Sequence, residues 1–503
     1  MSRCLPLLRW DELGISMIEW LKLYCTYSTV STIQRQHLNC PMSFIIKKHR
    51  TLIAIAALAL LGGCSHAPLV APPMPAVTPE AWSFEAKGDS GSKPLAATAW
   101  WKDFGNTELN ALVESALLAN TDLRIAATRV AQARALVDTV QADHYPQLGL
   151  GAGLQRGRDS SADPKTTQAR AGLRASWEPD IFGDKGLASL AAEKDAEGAE
   201  LTRQAMRVAI AAEVMTSYFD ARSLAQRQAV AHYGIATLER LTDVTRRRFE
   251  AGQISKLDID RLTAELGQER ANAAQLKGAH EVRLRQMAVL LGAPHPPVGL
   301  TFPATDNAAT GMPAVVLPIE LLERRPDVRG PARAVEAAVA RLGVAKRDLY
   351  PRIALDWSGG KERLRVGSGS ASPTTVVGYG MALSLPIFDG GRIRANIEIH
   401  EGKAQEAMLA YEKAMLSALA DAETAVVQLA AASDGVSALE STQTAGAAAL
   451  SKSERLFNAG LVDINTVLDT RRSYLKARDG LLQGQGAQLA AAVAVRRAFA
   501  GRV

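Results

Sequence analysis

The chain has 503 residues, of which 47% are hydrophobic but only 5% aromatic, with 22% charged and a formal net charge of +6. Its apolar content is largely Ala, Leu and Val, which suits long packed helices and excludes collagen, a disulfide scaffold (four Cys) and wholesale disorder. The positive excess is local. Residues 1–63 hold seven Lys/Arg against three acids, leaving 51 basic and 49 acidic residues elsewhere, so bulk charge gives a nucleic-acid partner no purchase.

Residues 42–63 carry a positive region (Lys47, Lys48, Arg50) and a short apolar stretch, Thr51 to Leu61, as a signal peptide does. The stretch ends in Leu61-Gly62-Gly63-Cys64, which resembles a bacterial lipobox. That resemblance implies a diacylglycerol on the Cys64 sulfur, cleavage before it and acylation (palmitate) of the new amino terminus. An ordinary signal peptide or a buried helix with a chance Cys is the plainer alternative. Ser65 follows, not an Asp, which favours the outer membrane over inner-membrane retention. Met42 is an alternative start, so residues 1–41, which hold Cys4, Cys25 and Cys40, read as an upstream extension. Residues 64–97 begin with five prolines within 67–82 and read as an extended, poorly ordered tether. No later run of about 18 apolar residues suggests a bundle of membrane helices.

The rest is one unit duplicated, 98–300 and 301–503. Tyr145-Pro146-Gln147-Leu148 recurs as Tyr350-Pro351-Arg352-Ile353, Pro179 to Gly183 recurs within Pro386 to Gly391, and Phe249-Glu250-Ala251-Gly252 recurs as Phe457-Asn458-Ala459-Gly460. In each copy the hydrophobic period switches. Residues 107–143 read helical, with Leu109, Leu112, Val113, Leu117, Leu123, Ala126 and Val130 spaced near three and four. Strict alternation follows, which reads as strands over about 146–156 and 168–178, then 352–360 and 375–386. The stretch 361–375 reads as a loop. Helix then resumes for about 64 residues (187–250 and 392–457), roughly 95 Å at 1.5 Å per residue, followed by helices over 256–291 and 464–500. Gly252 and Gly460 break these into two coiled-coil-like hairpins.

Four strands of about ten residues have the length that crosses a tilted bilayer, yet four cannot close, and lipid tolerates no open edge. A shared barrel follows: eight strands from a dimer or twelve from a trimer. Trp177, Trp357 and Tyr379 fit an aromatic girdle. A soluble sheet packed on helices would give the same alternation, and the lipobox and long helices favour the outer membrane.

Further motifs resemble the TolC-like outer membrane factors, above all the NodT-type lipoprotein channels of resistance-nodulation-division efflux pumps. They are Trp100-Trp101-Lys102-Asp103-Phe104, Asn120-Thr121-Asp122-Leu123, Leu290-Leu291-Gly292, Gly343 to Lys346, and the stretch Leu317 to Val328, LPIELLERRPDV. Pro331 departs from the family's Ala or Glu, and a shifted helix start is expected there. The resemblance implies an α+β membrane fold: a long α-helical coiled-coil barrel joined to a 12-stranded antiparallel β-barrel shared by a homotrimer. It also implies a periplasmic adaptor (membrane fusion) protein and an inner-membrane proton-driven transporter as partners. The chain would be a passive duct with multidrug-type cargo and no cofactor.

The resemblance assigns adaptor contact to the hairpin tips, at Gly252, Ser255 and Leu257, and at Gly460, Asp463 and Val467. Asp469 falls where the family places a carboxylate that narrows the periplasmic entrance, and the family's other acidic position is Thr466 here. A solvated Asp469 paired with Arg472 at i+3 is the plainer alternative. Arg170, Arg174 and Asp356 read as lumen-facing. Gly149 to Gly153 superficially resembles a phosphate loop, but its period-two glycines fit a barrel face better. No HExxH or GxSxG motif points to an enzyme. A pore-less envelope lipoprotein is a different class of reading, which would need neither alternating strands nor duplicated hairpin glycines. Within the channel class the alternative is the exit duct of a type I protein-secretion or metal-efflux system.

Overall fold

The computed structural model describes residues 79, 81–83 and 99–500, except 159, 161, 304–310 and 312–316. The signal peptide, Cys64 and the upstream extension lie outside the described residues. A 3₁₀ turn, Trp100–Phe104, leads into α1 (Thr107–Ala119), α2 (Thr121–Ala142), β1 (Gln147–Gly157), β2 (Thr166–Trp177), α3 (Asp184–Glu250) and α4 (Lys256–Leu290). The second half repeats the order: α5 (Pro318–Arg324), α6 (Pro326–Arg347), β3 (Arg352–Val366), β4 (Pro373–Ser384), α7 (Arg392–Asn458) and α8 (Ile464–Phe499). The long helices α3 and α7 have 67 residues each, about 100 Å of helix. Both start behind a glycine in the left-handed region, Gly183 and Gly391, which turns the chain out of the strand.

The strands form one antiparallel sheet in the order β1-β2-β3-β4. Its centre is the β2–β3 ladder, from Trp177↔Leu355 to Thr166↔Val366, which joins the two halves. Among the described residues, the outer edges of β1 and β4 have no partner strand. Leu148, Leu150, Leu154, Leu173, Trp177, Trp357, Tyr379 and Met381 fall on one face and are exposed. The other face carries Gln147, Gly149, Gly151, Gly153, Gln168, Arg170, Gly172, Arg174, Asp356 and Glu362. This is the apolar-out, polar-in pattern of a barrel wall.

The main core lies partway along the long helices. Trp100, Phe104, Leu109 and Val113 from the N-terminal segment pack on Met215, Tyr218 and Phe219 of α3, Met287 of α4, Ala425 and Leu429 of α7, and Val493 and Val495 of α8. Polar side chains pin this core. Asn106 caps α1 through Leu109 N–H and donates to the Tyr218 hydroxyl (3.1 Å). That hydroxyl donates to Glu108 (2.7 Å), which also accepts from the backbone of Thr301 and Phe302. Burial, with Glu108 accepting from it, pushes the Tyr218 phenol well above its ordinary value. Among the described residues one helix, α7, is long and apolar enough to cross a membrane, but 39% of its apolar stretch is buried, and Met415, Ala418, Ala422 and Val426 pack inward.

The helical stretch 107–143 divides at Asn120, which steps out of the helix and caps α2, accepting from Asp122 and Leu123 N–H while its amide donates to Leu290 O (2.9 Å). Three sequence expectations change. Strand β3 runs on to Val366 instead of ending near 360, because Lys361 to Val366 complete the ladder with the first six residues of β2. Helix α6 is not shifted by Pro331. It starts at Pro326 and runs through Pro331, because Arg325 anchors its start. The guanidinium is buried, bonds Asp327 (2.6 Å) and the Ala418 carbonyl, and reaches Asp421 (3.4 Å). Burial opposes the charge, but Asp327 and Asp421 outweigh it and hold Arg325 above its usual value. Finally, the expected loose tether is seated at Trp82, which packs edge-on against Phe499 (5.7 Å), while Ser83 N–H donates to Glu423.

The glycine pair at the middle of the β2–β3 ladder is sterically fixed. A Cβ on Gly172 would lie 2.7 Å from the Gly359 carbonyl oxygen, and one on Gly360 would lie 2.5 Å from that of Ala171. A Cβ on Gly151 would meet nothing within 4 Å. Gly172→Ala should therefore lower the thermal unfolding midpoint of the detergent-solubilised protein by several degrees, while Gly151→Ala leaves it unchanged. Equal midpoints for the two variants would overturn this account.

Candidate functional site

The hairpin ends are built alike. Helix α3 closes with Gly252 at φ 73°, where Gly252 N–H donates to Phe249 O (2.8 Å) and Gln253 N–H to Arg248 O (2.9 Å). Helix α7 closes with Gly460 at φ 76°, with Gly460 N–H to Phe457 O (3.0 Å) and Leu461 N–H to Leu456 O (2.9 Å). Both are Schellman caps, whose left-handed residue strains any side chain and so falls to glycine. Each next helix begins within a few residues. Ser255 precedes α4 and its hydroxyl hydrogen-bonds Asp258 (3.1 Å). Asp463 caps α8, accepting from both the backbone N–H (2.9 Å) and the hydroxyl (2.8 Å) of Thr466. The backbone bond from Thr466, then its hydroxyl, holds the Asp463 carboxyl below its ordinary value.

Beneath the turns the two hairpins share a small core of Leu238, Leu262, Phe457, Ile464, Val467 and Leu468. Val467, expected on the contact surface, is 1% exposed, because its position on α8 points into this core. Leu257 is exposed, as are Phe249, Leu456 and Leu461. Leu461 was not singled out by sequence reasoning, although an apolar residue directly after a Schellman glycine is a usable signal.

Polar bridges tie the hairpins together. The Arg472 guanidinium of α8 donates to Glu265 of α4 (2.9 Å) and to Asp469 (3.1 Å). Arg261 of α4 donates to Asn465 (2.8 Å), and the Arg248 guanidinium lies 4.7 Å over the Phe457 ring. Asp469 is thus paired with Arg472, while its side chain stays 72% exposed to water. Further up, Arg227 of α3 bonds Asp479 of α8 (2.6 Å). The partners Glu265 and Arg472 sit on different hairpins, so no local spacing could have paired them.

At the other end, Trp177, Trp357 and Tyr379 share one face at nearly one level, since Trp357 pairs with Tyr379 and Ala175, and Trp177 with Leu355. Trp177 Nε1 donates to His144 O (2.9 Å). On the opposite face Glu362 accepts from Gln168 and lies 3.6 Å from Arg170. The glycines of 149–153 belong to β1 and cradle no helix N-terminus. Among the described residues, no three His, Cys, Asp or Glu side chains gather as a metal site would.

A family model described as "Outer membrane efflux protein" matches residues 112–293 and 317–501. The pyoverdine export outer membrane protein OpmQ of Pseudomonas aeruginosa is 29% identical, over 90% of this chain and 97% of its own length. The cation efflux system protein CusC of Escherichia coli is 27% identical, over 86% and 94%. The solvent efflux pump outer membrane protein SrpC of Pseudomonas putida is 29% identical, over 88% and 97%. Among solved structures, the outer-membrane channel OprN superposes with a TM-score of 0.73 at 29% identity, covering 86% of this chain and 99% of that one. A CusC structure shares the fold, with a TM-score of 0.74 at 23% identity.

Proposed function

Because the chain belongs to the outer membrane efflux protein family, we propose how this molecule serves as the outer membrane channel of a tripartite efflux pump. The observation that carries the reading is the four-stranded sheet with two unpartnered edges and one apolar exposed face, continued by 67-residue helices. Edge peptide groups in hydrocarbon must find partners, so β1 of one copy pairs with β4 of the next. Three copies supply twelve strands, and the paired helices continue the wall as a tunnel. The girdle residues Trp177, Trp357 and Tyr379 then sit at the inner interface. Cys64 carries the lipid that holds each copy to the membrane, and an intact mass that retains residues before Cys64 would overturn that step.

The tips are the docking and gating end. Gly252, Gly460, Ser255 and Asp463 shape the turns, and exposed Leu257 and Leu461 offer apolar contacts to a periplasmic adaptor, which links the duct to a proton-driven transporter. Thr466 is engaged in capping, so the anionic character of the entrance rests on Asp469 and Glu265, offset by Arg472. The trio carries one net negative charge per copy. Its symmetric copies form a ring that favours cations and, through Arg472, holds the hairpins together. Relatives are named for pyoverdine export, cation efflux and solvent efflux. Cargo choice is therefore assigned to the transporter.

Two measurements test this reading. In planar bilayers, Asp469→Asn removes the net charge and should lower the cation-to-anion permeability ratio. Arg472→Ala doubles the net charge, raising that ratio, and frees the hairpins, raising conductance. Unchanged selectivity in both variants sinks the gate assignment. In cells, deleting the gene should raise fluorescent-dye accumulation several-fold, and the wild-type copy should reverse it. A lost exported protein with unchanged dye levels would instead support the secretion duct.

A further inference from the structure

The outer third of β3 breaks the pattern of the barrel wall. Antiparallel partners share a face. The pairs Arg156↔Thr167, Thr167↔Arg365, Ala169↔Arg363 and Ala171↔Lys361 therefore put Arg156, Lys361, Arg363 and Arg365 on the face that carries Leu150, Leu173 and Trp357. Leu364 and Val366 fall on the polar, inner face instead. All four basic side chains are exposed, and none has a side-chain hydrogen bond or ion pair among the described residues. The nearby acid, Glu362, is on the other face and engaged with Gln168 and Arg170. No Asp or Glu of the four strands falls on the outward face.

Their height decides what they meet. The girdle lies near the helix end of the sheet. Lys361, Arg363 and Arg365 lie four, six and eight residues beyond Trp357, roughly 13, 20 and 26 Å along the strand at about 3.3 Å per residue. At a tilt of about 40° that is roughly 10 to 20 Å of height in an apolar band about 25 Å tall, which puts Lys361 near its middle and Arg363 and Arg365 in its outer half. An unmatched Arg or Lys is costly deep on a lipid face and nearly free of cost close to the interface. Long stems let Arg156, Arg363 and Arg365 rise toward the headgroup layer, with Lys361 reaching up beneath them. There the matching chemistry is anionic, and Arg binds phosphate in a bidentate fork.

We propose that Arg156, Lys361, Arg363 and Arg365 form an exterior site for the phosphates of lipid A, the outer-leaflet phosphoglycolipid, with up to three copies around the barrel. The inference rests on the outer-membrane orientation of the sheet and is independent of cargo and of the gate. Two features single out this occupant: four unopposed cations against a phosphorylated headgroup, and apolar side chains directly below them for its acyl chains.

The test uses the full-length, delipidated protein in detergent, with bis-phosphorylated lipid A and its dephosphorylated form as probes, read by thermal shift and by lipid retained per trimer. The bis-phosphorylated lipid should stabilise the trimer in a salt-dependent way. The combined Arg156→Gln, Lys361→Gln, Arg363→Gln, Arg365→Gln variant should bind at least tenfold more weakly, while Arg170→Gln on the inner face binds as wild type. If the combined variant does not assemble, Lys361→Gln/Arg363→Gln and Arg156→Gln/Arg365→Gln measured separately should each weaken binding several-fold. Equal binding of the dephosphorylated lipid, or unchanged binding by the variants, overturns the proposal. Dye efflux is measured in the same variants. Restored efflux with lost lipid binding supports the site, and an efflux defect in the wild type would count against the channel reading alone.

Discussion

Hydrocarbon offers no partner to a bare peptide group, and this constraint organises the molecule. Four strands satisfy one another in three ladders and leave the outer edges of β1 and β4 open. A single chain in a bilayer therefore leaves two edges bare, and the proposed pairing of copies supplies their partners. The constraint also accounts for the alternation of side chains, since the face towards lipid must be apolar while the enclosed face meets water. The central β2–β3 ladder bridges the two sequence repeats, so neither half can form the sheet alone. Because α3 and α7 leave the ends of β2 and β4 through glycine turns, the strands also set where the hairpins begin.

The long helices have thin cores. Their buried stripes are mostly Ala, Val and Leu, and whole stretches of each helix face solvent in the isolated chain. Helices of this length draw their stability from side-to-side packing and not from propensity. Specific polar contacts then fix what a smooth alanine surface leaves free to slide. Asn120 ties the end of α1 to the end of α4, Arg227 ties α3 to α8, and Arg325 ties the start of α6 to α7. The last explains the physical content of the LLERRPDV stretch. Its second arginine is a buried clamp, and removing it would leave Asp327 and Asp421 without their counter-ion.

Duplication gives the hairpin tips the same backbone but different chemistry. Both use a Schellman glycine, yet only the second tip starts its next helix with an aspartate cap, and only that tip carries Asp469. The Arg472 bridge to Glu265 makes the two tips one mechanical unit. The charge balance at Asp469 and the contact between hairpins thereby share one arginine, so a change in one is felt by the other.

Much of this was legible in the residues themselves. Period-two alternation, proline-free runs, repeated landmarks and paired glycines give the strands, the long helices, the hairpins and the duplication, because each is a local pattern with a local cause. The placement of Trp177, Trp357 and Tyr379 on one face also follows from parity within strands. What the sequence left open depends on partners far along the chain. The polar tail of β3 looks like a loop until β2 is laid beside it, and Val467 looks available until the other hairpin covers it. Pro331 looks like a helix start until Arg325 is seen anchoring the turn before it. Asp469 and Glu265 meet through Arg472 only because two hairpins, some 200 residues apart in sequence, pack side by side. Local patterning fixed the elements, and long-range pairing decided which of their side chains face water, lipid or one another.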